Sequence, residues 1–145
     1  MKRITEDTPM PKISMKQDLS VAADQVWNLI GHFNALPDWH PGVESSELKN
    51  AGQMRKLSLV GGGTIIEKLE KVDNKTRTYS YTIEDSPLPV KNYRAELTVH
   101  DDDGGCSVEW SSEFEAAGVP ENDAMKAIQD VYQAGFDNLK KMFGQ

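Results

Sequence analysis

The chain is 145 residues long and carries a formal net charge of −7 with a pI near 4.9. That length predicts one domain with a core of its own, and the acidic balance argues against a nucleic-acid partner, which would need a basic face. No apolar run approaches bilayer length and no apolar stretch follows Met1, so a cytoplasmic protein without membrane insertion is expected; the lone Cys106 excludes an internal disulfide framework and fits a reducing compartment.

Residues 1–11 show no periodicity and read as a loose tail, leaving 12–145 as the folded unit. Over 12–19 the alternation Ile13, Met15, Gln17, Leu19 predicts a strand with one face inward. Residues 20–24 supply capping and turn chemistry, and Val26, Trp27, Leu29 and Ile30 predict a short helix ending at Gly31. The segment 33–41 holds two prolines, two aromatics and a histidine, and reads as a second short helix or an ordered loop. A weak strand follows at 43–48, then five clearer ones at 54–60, 64–72, 76–84, 91–100 and 106–115. Their separators, Gly61-Gly62-Gly63, Asp73-Asn74-Lys75, Ser86-Pro87-Leu88-Pro89 and Asp102-Asp103-Gly104, are too short for crossover helices, so the sheet should be antiparallel.

The strongest helical pattern comes last, at 120–143. Pro120 suits a first helical position, Glu121 and Asp123 complement the positive end of the helix dipole, Lys140 and Lys141 the negative end, and Gly144 is a stop. Ala124, Ile128, Val131, Tyr132, Gly135, Leu139 and Met142 form one wide apolar stripe on a helix roughly 36 Å long. Strand, two short helices, six strands and one long helix describe a helix-grip arrangement, an α+β fold in which a curved antiparallel sheet of about seven strands wraps the final helix. One helix cannot cover so large a concave face. Either bulky side chains fill the remaining space or a cavity is left there.

Strand alternation says what faces that space. The inward sets are Arg55, Leu57, Leu59; Ile65, Glu67, Leu69; Tyr79, Tyr81, Ile83; Tyr93, Ala95, Leu97, Val99; and Cys106, Val108, Trp110, Ser112, Phe114. Turn lengths then predict register. A three-residue loop at 60–62 sets Arg55 opposite Glu67, whereas centring it on Gly62 makes the pair diagonal but still within an arginine's reach; a loop at 73–75 sets Glu67 opposite Tyr81, and a turn centred on Pro87 sets Tyr81 opposite Tyr93. These four residues should form one polar belt, with Glu67 paired to Arg55, solvated in a cavity or protonated. The belt is either a satisfied network that fixes register or the set of polar anchors for a ligand, with Trp39, Trp110, Phe114 and Tyr132 as apolar walls.

Other candidates weigh less. His40, between Trp39 and Pro41, could donate to a ligand or act as a general base, but ordering the turn is the commoner role of such a histidine. His32, His40 and His100 lack metal-ligand spacing, so no metal and no cofactor is expected. Cys106 has no evident base partner. The triple glycine joins strand to strand with no helix N-terminus behind it, so it is a hairpin or portal loop and not a phosphate loop; the run 101–105 lacks calcium-loop ligand spacing. Gly135 inside the long helix costs roughly 1 kcal/mol against alanine, which implies close approach of a strand or a ligand.

Val26-Trp27-Asn28-Leu29-Ile30, Phe33 and Leu36-Pro37-Asp38-Trp39-His40-Pro41 resemble the opening of the START/Bet v 1-like superfamily, and within it the polyketide cyclase/dehydrase-like branch. Gly62-Gly63-Thr64 with Glu67 and Leu69, Tyr79-Ser80-Tyr81, Pro87-Leu88-Pro89-Val90, Tyr93 and Trp110 extend the resemblance from residue 12 onward. Ser86-Pro87-Leu88-Pro89-Val90 is also similar to the Ser-Gly-Leu-Pro-Ala gate loop of plant abscisic-acid receptors, with a stiffening Pro87 where the receptors have glycine, and reads as a portal loop. The resemblance implies a helix-grip fold and three readings of function. The first is a binding protein for a small hydrophobic molecule with polar groups (lipid-, polyketide- or aromatic-like), monomeric or weakly dimeric. The second is a cyclase/dehydratase-type enzyme, with Arg55 or the tyrosines polarising a carbonyl and Glu67 or His40 moving a proton. The third is a protein-interaction module whose interior is closed by Trp110, Tyr132 and their neighbours.

Overall fold

Alternating side chains joined by short turns build a seven-stranded antiparallel sheet in the computed structural model, which describes residues 10–144. The strands are β1 (Lys12–Leu19), β2 (Val43–Lys49), β3 (Met54–Leu59), β4 (Thr64–Asp73), β5 (Thr78–Asp85), β6 (Val90–Asp102) and β7 (Gly105–Ala116). Their order across the sheet is β1-β7-β6-β5-β4-β3-β2. Two short helices, α1 (Ala23–Ile30) and α2 (Leu36–Trp39), carry the chain from one edge strand to the other. A long helix, α3 (Glu121–Phe143), packs on β1 and β7. This is the helix-grip arrangement expected from the element order. The expected tail, 1–11, falls mostly outside the described residues; within them, the Pro11 carbonyl accepts the Phe114 N–H at 3.2 Å.

The inward sets read from alternation all lie on one face. Leu57, Tyr79, Leu97, Val108 and Phe114 are each at most 2% exposed, and α3 adds Ala124, Ile128, Tyr132, Phe136 and Leu139. The helix differs from its reading in three details. Pro120 is the N-cap residue, not the first helical one; Phe136 is buried; and Met142 is 46% exposed. The helix begins one residue later than read, and the buried face is centred on 128, 132, 136 and 139. Gly144 closes α3 at φ 75°, its N–H donating to the Lys140 carbonyl at 2.8 Å.

Register is as expected at one of the three predicted places. Between β3 and β4 the turn at 60–62 places Arg55 opposite Glu67, and consecutive φ values of +88°, +108° and +98° at Gly61, Gly62 and Gly63 explain why three glycines stand there. Between β4 and β5 the turn is longer than read: Asp73 pairs with Thr78, and Arg77 adopts a left-handed φ of 52°. That longer turn, with the register shift between Leu69 and Lys71, sets Glu67 opposite Ile83 and Leu69 opposite Tyr81, so the expected Glu67–Tyr81 pairing does not form; a second shift follows at Ile66. Tyr81 faces Ala95, not Tyr93, because the ladder from Thr78↔Thr98 to Thr82↔Arg94 is centred on Leu88, one residue beyond the expected Pro87. Beyond Thr82 the strands part, and Asn92 takes a φ of 54° where β6 bends away. The sheet is therefore open between the end of β5 and the start of β6.

Candidate functional site: a small cavity closed by an ion pair and an aromatic plug

Arg55 is 0% exposed and Glu67 5%. The Arg55 Nε donates to Glu67 Oε1 at 2.8 Å, Nη2 lies 2.6 Å from the same oxygen, and Nη1 donates to the Phe33 carbonyl. The guanidinium carbon sits 4.0 Å from the Phe33 ring centroid and 5.3 Å from that of Tyr81, which fixes the plane of the cation. Burial opposes the Arg55 charge, but Glu67, Tyr79 and Tyr81 more than offset it, so the guanidinium stays protonated. Burial pushes the Glu67 carboxyl above the usual carboxylate range, and Arg55 holds it back. Glu67 Oε1 thus carries both contacts from Arg55. Oε2 has no hydrogen-bond partner among the described residues.

The tyrosines form a separate chain. Trp110 Nε1 donates to the Tyr81 hydroxyl at 3.0 Å, that hydroxyl lies 3.4 Å from the Tyr93 hydroxyl, and Tyr93 is hydrogen-bonded to Tyr132. Burial raises the pKa of all three phenols, so they remain neutral donors and acceptors. The expected single belt is therefore two units, an Arg55–Glu67 pair and a Tyr81–Tyr93–Tyr132 chain, in contact through the Arg55 cation over the Tyr81 ring. The tyrosines meet by side-chain reach and not by the register predicted for them.

Behind the tyrosine chain lies an aromatic plug. Trp110 stacks on Tyr132 at 4.2 Å between centroids with planes 14° apart, and Trp39 and His40 pack against Trp110 at 5.5 and 6.1 Å. His40 Nδ1 accepts the Gly42 N–H at 3.0 Å, so the proton sits on Nε2, which donates to the Val131 carbonyl of α3 at 2.7 Å. Burial lowers the His40 pKa and keeps the ring neutral. With both nitrogens engaged, the ring offers no free lone pair. Asn138 ties α3 to the same segment, donating to the Trp39 carbonyl at 2.8 Å, whereas Trp39 Nε1 is buried without a partner among the described residues. This packing accounts for Gly135: a Cβ there would lie 3.0 Å from His40 Cδ2, 3.0 Å from Trp39 Cζ3 and 3.2 Å from Trp110 Cζ3. The close approach expected at that glycine is made by α2 and β7.

Between the plug and the ion pair a cavity of about 200 Å³ remains. Its walls are mainly aliphatic: Val43, Leu57, Ile65, Ile83, Ile128 and Val131, with Leu88 contributed by the turn between β5 and β6. Of the residues expected to form a site, Glu67, Tyr81, Tyr93, Trp110 and His40 line it. Arg55, Trp39, Phe114 and Tyr132 stand one layer behind, because alternation along a strand reports which face a side chain takes and not how deep it sits. Alternation places the aliphatic residues of β3 and β4 inward without marking them as walls. Gly63 places its missing Cβ 3.7 Å from Pro87 Cγ, so the glycine turn and the proline turn adjoin beside the cavity. A wider groove of about 1030 Å³, lined by charged residues such as Lys68, Glu70, Glu84 and Arg94, runs outside the open seam of the sheet, and Ile83 and Tyr93 border both spaces.

Residues 10–144 match the family described as polyketide cyclase / dehydrase and lipid transport. The chain belongs to that family. Among solved structures it is similar to the protein XoxI from Bacillus cereus, at 36% identity and a TM-score of 0.90 over 92% of this chain and 96% of that one. It is similar also to an uncharacterised protein from Bacillus thuringiensis, at 35% identity and a TM-score of 0.90 over 93% and 100% of the two chains. Ara h 8.0201 shares the fold at 17% identity, with a TM-score of 0.74 over 92% and 97%. None of the curated proteins compared with the chain matches it. No helix among the described residues is long and apolar enough to cross a membrane.

Proposed function

We propose that the chain binds a small hydrophobic molecule bearing a polar group, held in the cavity between α3 and strands β3–β7. The observation that carries this reading is a buried carboxylate with one oxygen uncommitted in an otherwise mostly aliphatic pocket. That oxygen is not among the fully enclosed atoms without a partner, so it is reachable from the cavity, and a ligand that covers it without offering a donor loses about 1–3 kcal/mol. Glu67 is the polar anchor, Tyr81 and Tyr93 the polar edge, and Trp110 and His40 the floor. The adjoining turns at 61–63 and 86–89 form the portal. Membership of a family described by lipid transport as well as cyclisation accords with this.

The volume limits the occupant. About 200 Å³ exceeds the roughly 150 Å³ apolar cavity that holds benzene and falls short of the roughly 300 Å³ at which drug-sized pockets begin. A substituted single ring or a chain of similar bulk fits without repacking. The interaction-module reading gains from the closed plug of Trp39, Trp110 and Tyr132 but does not explain Glu67. The cyclase/dehydratase reading rests on Glu67 as the one carboxyl lining the cavity, since His40 is engaged at both nitrogens. Native mass spectrometry of protein taken directly from cells tests the binding reading: a mass increment of one small molecule that is lost on unfolding supports it, and bare protein across several growth conditions contradicts it.

A further inference from the structure

We infer that the molecule this cavity takes carries a hydrogen-bond donor, a hydroxyl or an N–H, and that Glu67 Oε2 is the atom that selects it. The inference rests on the binding reading above and narrows it.

Three groups of polar atoms come near the cavity, and two of them are turned mainly to protein partners. Arg55 would be the natural partner for a carboxylate or a carbonyl, but Nε donates to Glu67 Oε1 and Nη1 to the Phe33 carbonyl, and Nη2, 2.6 Å from Oε1 without hydrogen-bond geometry, stands with the rest of the side chain behind the cavity wall. The Tyr81 hydroxyl accepts from Trp110 Nε1, and the Tyr93 hydroxyl is bonded to Tyr132. Glu67 remains. It is 95% buried, it lines the cavity, and two Arg55 nitrogens close to Oε1 mark the carboxylate as ionised and leave Oε2 to accept.

An ionised acceptor in a low-dielectric pocket discriminates by sign. A phenol, alcohol or amine N–H placed on Oε2 makes a charge-assisted hydrogen bond, a hydrocarbon leaves the oxygen desolvated and unmet, and a carboxylate brings a like charge against it. The cavity is thus complementary to an apolar body with one donor, and it rejects the acidic ligands that a buried arginine alone would suggest.

The test uses the whole protein and three single-ring probes of matched size, 4-methylphenol, toluene and 4-methylbenzoate, titrated calorimetrically at pH 7.5. The expected order is 4-methylphenol tighter than toluene by about tenfold or more, with 4-methylbenzoate weakest. Glu67→Gln turns the cavity-facing oxygen into an NH2 donor, so the phenol preference should fall below about threefold and 4-methylbenzaldehyde should gain. The ranking on the unmodified protein stands whether or not that variant folds. Equal affinity for all three probes, or tightest binding of the benzoate, overturns the donor assignment while leaving a binding cavity in place. Binding of none of the three overturns the binding reading as well.

Discussion

Replacing Arg55 by methionine isolates the interaction on which the cavity's electrostatics depend. The Arg55 side chain is 1% exposed and that of Glu67 6%, so solvent screens neither charge appreciably. Methionine occupies much of the same space but leaves Glu67 buried without its cation and the Phe33 carbonyl without its donor. Removing one partner of a buried pair costs about 3–5 kcal/mol, a range that already includes part of the orphaned-carbonyl cost, so a loss of about 4 kcal/mol is expected. Against a total stability of roughly 5–15 kcal/mol, such a variant sits close to unfolding. Adding Glu67→Leu should restore most of the loss, because a hydrophobic pair of similar volume removes the uncompensated charge. Urea unfolding followed by tryptophan fluorescence, run on both single variants and the double, measures the coupling. The single Arg55→Met variant also carries a pH signature. Without the guanidinium, burial alone raises the Glu67 pKa further, so the folded state binds a proton that the unfolded chain has released. Stability then falls as pH rises from about 4.3 through the raised folded value, by up to about 1.4 kcal/mol per unit. A loss below about 1 kcal/mol, or a double variant no more stable than the single one, would refute the buried and coupled pair.

Gly135→Ala sets about 1 kcal/mol of helix propensity against packing, since the new methyl would meet His40, Trp39 and Trp110, each held by its own contacts. Overpacking of this kind costs about 1–3 kcal/mol, so a net loss of about 1 kcal/mol in urea unfolding is expected, and a gain would mean that the plug yields. Lowering the pH should destabilise the protein through His40: its folded pKa is depressed, so below about pH 6.5 the unfolded chain takes up a proton that the folded ring resists. Between pH 7.5 and 5.5 this amounts to at most about 1.4 kcal/mol, read as the difference between the wild type and His40→Gln; identical pH slopes would dispose of it. Ala51→Gly should raise the melting temperature by about 3 °C, because Ala51 holds a left-handed φ of 58° that costs about 1 kcal/mol in a residue with a side chain. An unchanged or lower melting temperature would argue against strain there.

The elements and the inward faces were legible because period-2 alternation and short turns leave few other arrangements, and the glycine turn narrowed Arg55 and Glu67 to a direct or a diagonal pair, of which the direct one forms. The other two registers were not legible. Arg77 adopts a left-handed conformation that its residue type does not announce, Asn92 adopts one that asparagine tolerates but does not require, and the shifts at Ile66/Glu67 and Leu69/Lys71 each displace the partner strand. Depth was the second thing missing. Trp39, Phe114 and Tyr132 point inward as expected, yet stand behind the wall, Trp39 and Tyr132 against Trp110 and Phe114 against Tyr93. The same holds for Arg55: alternation places it inward, but nothing in the sequence says that Nε and Nη1 are taken by Glu67 and Phe33 and that the side chain stands behind the wall.

The most direct test of a donor-selective cavity at Glu67 is an amide NMR titration of the intact protein with 4-methylphenol. Saturable shifts should cluster on Val43, Ile65, Glu67, Ile83 and Leu88, the residues that surround the cavity on four elements. Shifts confined to the outer groove near Lys68 and Arg94, or no saturable shift at all, would contradict the account.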